Sequence, residues 1–212
     1  MHERPLNDVQ AEDILLRLLQ NGYSVNLDHC EWEHAKRVAA YTKLLLRTTA
    51  RRGLQKGLTQ QDVSNIITAA RFHDIGKALL LPEATLSQEA HTTLGAKKIV
   101  EALWETEIDI DLQSCIFTVV RSHHERWDGF GYPDGLKGEE TPLAAQIVAL
   151  ANSYDCLRVH EYKSLANTHE DAVNKIIREK RYAFSPAKVE LFLQSNEEIA
   201  QKFEQFSIRK LA

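Results

Sequence analysis

The sequence predicts an all-α fold, a single compact helical domain of about eight or nine helices. Apolar residues recur three and four positions apart along most of the chain, as in Ile14, Leu15, Leu18 and Leu19, which is the period of one face of an α-helix. Strict alternation of apolar and polar residues over the length of a strand does not occur. Residues that can cap helix N-termini precede several of these segments, so a bundle of amphipathic helices is expected.

Capping residues predict the helix boundaries in chain order. Helices are expected to begin where a Ser or Thr oxygen can accept from the free amides of the first turn. These sites are Thr59 with Asp62, Thr141 before Pro142, Thr168 with Asp171, Ser185 before Pro186, and Ser195 with Glu198. Ends are expected at Gly22, Gly53 and Gly76, because glycine adopts the left-handed conformation at little cost. The predicted helices lie at about residues 8–20, 28–51, 60–74, 87–104, 110–124, 142–157, 169–180, 186–194 and 196–206.

The length of 212 residues predicts one domain, because domains commonly hold about 100 to 200 residues. We divide the chain into an N-terminal helical extension (residues 1–27), a main domain (residues 28–195) and a C-terminal helix (residues 196–212). An apolar stripe near the C-terminus is expected to join the core or to form a homodimer contact. It comprises Leu191, Phe192, Ile199, Phe203 and Phe206.

Composition excludes several classes of protein. The chain has 26 Lys and Arg against 30 Asp and Glu, a net charge of −4, and lacks the basic stripe that binding to a nucleic acid polymer requires. No apolar run reaches the roughly 18 residues that cross a membrane, and no signal-like segment follows Met1. We therefore expect a cytoplasmic protein without a membrane anchor. The three cysteines form no close pair, which argues against a disulfide framework or a CxxC metal site.

Histidine is the unusual residue, with nine in the chain. The segment His73-Asp74-Ile75-Gly76-Lys77 ends a predicted helix, and an imidazole beside a carboxylate suits Fe, Mn, Ni or Zn. Such a pair is usually a surface feature when it stands alone, and His34 and His91 alone would be a core and a surface residue. The consecutive His123 and His124 would point about 100° apart on a helix, so together they suit two neighbouring ions better than one.

These motifs resemble those of the HD-GYP phosphodiesterases, within the HD metal-dependent phosphohydrolase superfamily. His73–Lys77 resembles the HDxGK motif of that family, and residues 123–133 match its HHExxDGxGYP motif without a gap. That motif runs into a loop, residues 128–138, that holds four of the nine glycines. His34 begins a segment similar to the HxxRV helix, and His91 with Gly95 resembles a further histidine-bearing helix. The resemblance covers about residues 28–195.

The resemblance implies an all-helical domain that hydrolyses cyclic di-GMP with two transition-metal ions, iron or manganese first, with nickel and zinc as alternatives. The implied metal ligands are His34, His73, Asp74, His91, His123, His124 and, at the position of the last ligand, Asn152. Asp74 would bridge the ions, and with Lys77 it forms the implied catalytic pair. The ions would lower the pKa of a water molecule for in-line attack on phosphorus, and Lys77 would stabilise the charge on the phosphoryl oxygens. The implied substrate-binding residues are Lys77, Tyr132, Pro133 and Lys163.

Four departures from the family pattern are visible. Asn152 stands where the superfamily has an aspartate, so one ion is expected to bind more weakly. Cys30 stands where trinuclear members have a glutamate, so at most two ions are expected. The arginine that follows Asp155 in the family, where it helps to hold the cyclic dinucleotide, is absent, and Arg158 could replace it only by a different route. The stretch between Asp74 and His91 is also shortened, which predicts a more open pocket.

We therefore expect a metal-dependent phosphodiesterase acting on cyclic di-GMP or a related cyclic dinucleotide. One alternative is a catalytically weakened module that binds nucleotide or a diguanylate-cyclase-type protein partner, motivated by Asn152, Cys30 and the absent arginine. A second alternative is an HD phosphohydrolase for another phosphate ester.

Overall fold

The computed structural model describes residues 14–16, 18, 29–51, 57–79, 90–104, 108–159 and 167–209. Within these ranges the chain forms eight α-helices and one 3₁₀ turn, with no β-strand and a single isolated bridge between Lys180 and Phe184. The helices are α1 (His29–Arg51), α2 (Gln60–Ala70), α3 (Ile75–Leu79), α4 (Ala90–Leu103), α5 (Ile110–Ser122), α6 (Leu143–Arg158), α7 (His169–Arg178) and α8 (Pro186–Arg209), with the 3₁₀ turn at Gly138–Glu140. The all-α prediction is confirmed.

The N-terminal part of the prediction is described only in fragments. Most of the predicted helix at residues 8–20 and of the extension at residues 1–27 lies outside the described residues, as do Gly22 and Gly53. Ile14 and Leu18, which are described, are fully buried in the core. Among the described residues, no helix combines the length and apolar character that crossing a bilayer requires.

Local capping chemistry starts three of the helices. The capping boxes predicted at Thr59 with Asp62 and at Thr168 with Asp171 are confirmed at the N-termini of α2 and α7. The side chain of Asp109 accepts from two free amides at the start of α5. Each such cap is worth about 1 kcal/mol, because it satisfies a donor that the helix itself leaves unpaired.

The hydrophobic core is formed by α1 and α5 together with the helices that pack against them. α1 lies against α2, α6 and α8, while α5 lies against α2, α4 and α6. Phe192 and Ile199, two members of the C-terminal apolar stripe, are fully buried on α8. α3 packs mainly on α4, which places the turn before α3 near the start of α4.

The helix break predicted at residues 194–196 is wrong, because α8 is continuous from Pro186 to Arg209. Ser195 does not cap a new helix. Its hydroxyl donates to the carbonyl of Leu191 at 3.1 Å and lies 2.6 Å from the hydroxyl of Thr48 on α1. A serine whose hydroxyl bonds the carbonyl four residues back is satisfied in a helix interior.

The helix end predicted at residues 74–76 is also wrong. α2 already ends at Ala70, residues 71–74 form a turn, and Gly76 lies inside the short helix α3. Gly76 is required for close approach: a Cβ atom there would lie 1.9 Å from the carbonyl oxygen of His91 and 2.9 Å from the Cα of Gly95. The two glycines therefore let α3 and α4 touch through their backbones, which brings His91 towards Asp74.

Gly76→Ala is expected to lower the free energy of unfolding by about 3 kcal/mol, at the upper end of the cost of overpacking. In an ordinary helix interior the same change would be stabilising. Gly57→Ala is the matched control: its φ is +104° but a Cβ there meets no atom within 4 Å, so only backbone strain of about 1–2 kcal/mol applies. Urea unfolding of both variants measures the difference, and equal losses would contradict the steric argument.

Candidate metal centre

Asp74 lies at the centre of a cluster of imidazoles, in the turn between α2 and α3. Its Oδ2 atom lies 3.3 Å from Nε2 of His73 and 3.8 Å from Nε2 of His34. Its Oδ1 atom lies 3.3 Å from Nε2 of His91 and 3.4 Å from Nε2 of His123. The carboxylate therefore presents one oxygen to each of two histidine groups.

The six histidine and aspartate ligands predicted from the sequence thus fall into two sets that share Asp74. One set is His34, His73 and Asp74; the other is Asp74, His91, His123 and His124, and the ligand atoms within each set lie within 4.8 Å of one another. The rings of His123 and His124 are 4.2 Å apart between centroids. α5 ends at Ser122 and His123 is its C-cap, so the doublet lies where the helix stops and both rings can face the cluster.

Backbone carbonyls fix the tautomers of two of these rings. Nδ1 of His73 lies 2.9 Å from the carbonyl oxygen of Ala70, and Nδ1 of His123 lies 3.0 Å from that of Val119. A carbonyl oxygen only accepts, so each Nδ1 carries the proton and each Nε2 is left with a lone pair. Both lone pairs are directed towards Asp74, an arrangement that suits a cation between them.

Three buried polar atoms of the cluster have no hydrogen-bond partner. They are Oδ1 of Asp74, Nε2 of His91 and Nε2 of His123. An unsatisfied buried polar atom costs about 1–3 kcal/mol, so three at one point call for a bound group. The protein's own residues therefore fit a metal ion at this position.

The protonation states also suit a cation. Burial lowers the pKa of His123, and burial together with the charge of His123 lowers the pKa of His124 to about 3. Burial raises the pKa of Asp74, but its electrostatic interactions with the imidazoles of His73, His123 and His91 outweigh burial and hold that pKa well below its ordinary value. Neutral rings at His123 and His124 beside an ionised carboxylate are the forms that bind metals.

An outer pair of charged residues orients His34. Nδ1 of His34 donates to Oδ2 of Asp155 at 2.7 Å, and Asp155 accepts two further hydrogen bonds from Arg37, at 2.7 and 2.9 Å. Only 1% of the Asp155 side chain and 6% of that of Arg37 are exposed. Sequence reasoning assigned no role in the site to either residue. The available signal was spacing, because His34 and Arg37 are three residues apart on one helix face.

Glu125 holds the glycine-rich loop against the end of α5. Its buried carboxylate accepts from the amides of Asp134 at 2.7 Å and Leu136 at 2.9 Å. Gly131 allows the close approach, since a Cβ there would lie 2.3 Å from the amide nitrogen of Arg126. Sequence reasoning missed this role of Glu125.

Two backbone hydrogen bonds tie the start of this loop to the turn before α8. The amide of Trp127 donates to the carbonyl of Ala183 at 3.1 Å, and that of Asp128 donates to Tyr182 at 2.9 Å. Tyr132, which precedes Pro133 through a cis peptide bond, stacks on the ring of His124 with 4.7 Å between centroids. The predicted rim residue Tyr132 therefore contacts a member of the cluster directly.

A cleft of about 340 Å³ opens over the cluster. Nζ of Lys77 reaches Oδ2 of Asp74 at 2.6 Å, and Asn152 is buried in the cleft wall, where its Oδ1 accepts from the thiol of Cys156 at 3.3 Å. Cys156 is exposed at the edge of the cleft. Lys163 and the side chain of Cys30 lie outside the described residues.

The chain is similar to several known proteins. A family model described as an HD domain matches residues 29–187. A probable cyclic di-GMP phosphodiesterase of Vibrio cholerae is 31% identical over 185 residues, which cover 80% of this chain and 42% of that protein. The 3'3'-cGAMP-specific phosphodiesterase 2 of the same organism is 28% identical over 167 residues, which cover 76% of this chain and 30% of that protein.

One solved structure shows the same fold. A cyclic GMP-AMP specific phosphodiesterase of Vibrio cholerae superimposes with a TM-score of 0.62 at 16% identity, covering 92% of this chain and 50% of that one. The chain spans less than half the length of the two curated relatives described above.

Proposed function

Because this chain belongs to the HD domain family, as its His73-Asp74 motif predicts, we propose that it is a metal-dependent phosphodiesterase that hydrolyses cyclic di-GMP or a related cyclic dinucleotide. The observation that carries the proposal is the position of Asp74, with one carboxylate oxygen facing each of two histidine groups. The names of the curated relatives support the substrate class.

Two transition-metal ions fit the two ligand sets. His34, His73 and Asp74 would hold one ion, and Asp74, His91, His123 and His124 the other. Asn152, in the wall of the same cleft, would contribute a neutral amide oxygen. We propose iron or manganese first, with nickel and zinc as alternatives, because imidazole and carboxylate ligands accept all four. When bound, such ions would supply positive charge beside the phosphate and a water-derived nucleophile at neutral pH.

The remaining residues of the cleft would bind and orient the substrate. Lys77, whose side chain is 47% exposed and already lies against Asp74, would donate to a phosphoryl oxygen as charge builds there. Tyr132, stacked on His124, and the neighbouring Pro133 would form one wall. Lys163 would contribute a second cation to the substrate.

The test is turnover of cyclic di-GMP and 3'3'-cGAMP by protein loaded with iron, manganese, nickel or zinc without oxygen, followed by chromatography of the products. We expect hydrolysis by protein that carries two ions per chain, and its loss after treatment with a chelator. Failure of doubly loaded protein to cleave any cyclic dinucleotide, while it cleaves another phosphate ester in the same assay, would replace this proposal with the broader hydrolase function.

A second candidate function is a weakened module that binds nucleotide or a diguanylate-cyclase-type protein partner. The observation that favours it is Asn152, whose amide oxygen is neutral and already hydrogen-bonded to Cys156. A neutral ligand attracts a cation less than a carboxylate does. On this hypothesis the domain binds its ligand with little turnover.

Asn152→Asp is expected to raise both metal occupancy and turnover by about tenfold or more. The reason is that one added negative charge beside a cation contributes about 1.4 kcal/mol or more at an effective dielectric constant near 20, and 1.4 kcal/mol corresponds to a factor of ten. Elemental analysis of the dialysed protein gives the occupancy, and the assay above gives the rate. Asn174→Asp, on an exposed residue of α7 away from the cluster, is the matched control. Unchanged, robust activity in the Asn152 variant would exclude the weakened-module function.

A further inference from the structure

Arg71 is a basic residue of the cleft to which the metal cluster gives no role. It caps the C-terminus of α2, where its amide donates to the carbonyls of Ala69 and Thr68. Its half-buried side chain lines the 340 Å³ cleft together with Lys77, Asn152 and Cys156. Arg71 therefore lines the cleft from the same turn that carries His73 and Asp74.

Two other basic residues of the cleft serve the metal cluster. Arg37 donates twice to Asp155, which positions His34. Lys77 donates to Asp74. Both cations therefore lie against carboxylates at the metal cluster, Asp155 and Asp74.

Arg158, the candidate replacement for the absent family arginine, is turned to the other side of α6. Its Nη1 donates to the hydroxyl of Tyr154 at 2.7 Å, and its guanidinium lies 4.0 Å from the ring centroid of Phe203. Its Nη2 lies 3.3 Å from Glu204 on α8. These contacts hold Arg158 against α8, so it does not take over the role of the absent arginine.

We propose that Arg71 binds the substrate, by holding the phosphate of the cyclic dinucleotide that is not being cleaved. The proposal rests on the proposed function. A cyclic dinucleotide carries two phosphodiesters, and when one lies at Asp74 the other remains within the same cleft. The planar guanidinium offers a fork of N–H donors that matches two phosphate oxygens at once.

The environment of Arg71 strengthens such a contact. Burial lowers the pKa of its guanidinium, but arginine starts so high that it stays charged at neutral pH. A charge that is partly withdrawn from water binds an anion more strongly than an exposed one, because the local dielectric constant is lower.

The experiment compares Arg71→Gln with wild-type protein on two substrates. Cyclic di-GMP has two phosphates, whereas bis(p-nitrophenyl) phosphate has only the one that is cleaved. We expect the KM for cyclic di-GMP to rise about tenfold to a hundredfold, the value of a hydrogen bond to a charged group. The kcat, the KM for bis(p-nitrophenyl) phosphate and the metal content should stay the same. Arg71→Lys should restore part of the affinity, since it keeps the charge without the fork.

Arg51→Gln is the matched control, an exposed arginine at the far end of α1 from His34 that contacts Glu198. It should leave both KM values unchanged. Wild-type turnover of cyclic di-GMP with an unchanged KM in Arg71→Gln would overturn the role of Arg71 alone. Equal losses on both substrates would also overturn it, because they would place Arg71 at the reacting phosphate. Wild-type protein that cleaves only bis(p-nitrophenyl) phosphate and does not bind cyclic di-GMP would overturn both proposals.

Discussion

Asp74→Ala is expected to leave the protein without either metal ion and to reduce phosphodiesterase turnover by more than about a hundredfold. Removal of a residue that only hydrogen-bonds to a metal ligand lowers metal affinity or activity tenfold to a hundredfold. Removal of a ligand itself, such as Asp74, is expected to lower them more. Asp74 supplies an oxygen to both histidine groups, so its loss removes the only carboxylate that the two ligand sets contain among the described residues.

Elemental analysis of protein purified without chelator measures the ions per chain, and thermal unfolding with and without added metal gives a readout independent of activity. Wild-type protein should gain stability when metal is added, because an ion that binds only the folded state shifts the folding equilibrium, and Asp74→Ala should not. Asp111→Ala, on an exposed aspartate in the first turn of α5, is the matched control. Retention of two ions by Asp74→Ala would refute the shared-carboxylate arrangement.

Asp155→Ala is expected to lower the free energy of unfolding by about 3–5 kcal/mol, the cost of removing one partner of a buried ion pair. The guanidinium of Arg37, 6% exposed, would be left charged in the protein interior. His34 would also lose the acceptor of its Nδ1 proton, so metal affinity at its ligand set should fall tenfold to a hundredfold.

Urea unfolding of metal-free protein separates the two effects, because the loss of stability is then measured without any contribution from bound metal. The double variant Arg37→Met with Asp155→Leu is the control, since replacing a buried pair by apolar residues of similar size is often neutral or stabilising. We expect it to recover most of the stability but not the metal affinity. A double variant as unstable as the single one would show that Asp155 acts through some other contact.

Most of the metal cluster could be assigned from the sequence because its motifs resemble those of a known family, whereas each histidine taken alone would more often be a core or surface residue. His34, His73, Asp74, His91, His123 and His124 were all assigned as ligands, and the structure brings all six together. The fold class was predictable because the helical period of apolar residues is visible in short stretches of sequence.

What could not be predicted depends on contacts between distant segments. Asp155 and Arg37 are 118 residues apart, and no local pattern around either residue indicates that they pair. Gly76 has the same sequence appearance as a helix-ending glycine, but the carbonyl of His91 decides its role. Ser195 looks like an N-cap until Thr48 and the carbonyl of Leu191 engage its hydroxyl.

The two backbone hydrogen bonds from Trp127 and Asp128 to the turn at Tyr182 and Ala183 have a mechanical consequence. Tyr182 in that turn is 61% exposed. Trp127, whose amide bonds the turn, lies only four positions after His123 in the chain. Glu125 lies between Trp127 and His123, and the two hydrogen bonds that its carboxylate accepts limit the movement of this segment. Movement of the turn would therefore be transmitted to His123 and His124, so an exposed surface of the protein is mechanically coupled to its buried metal cluster.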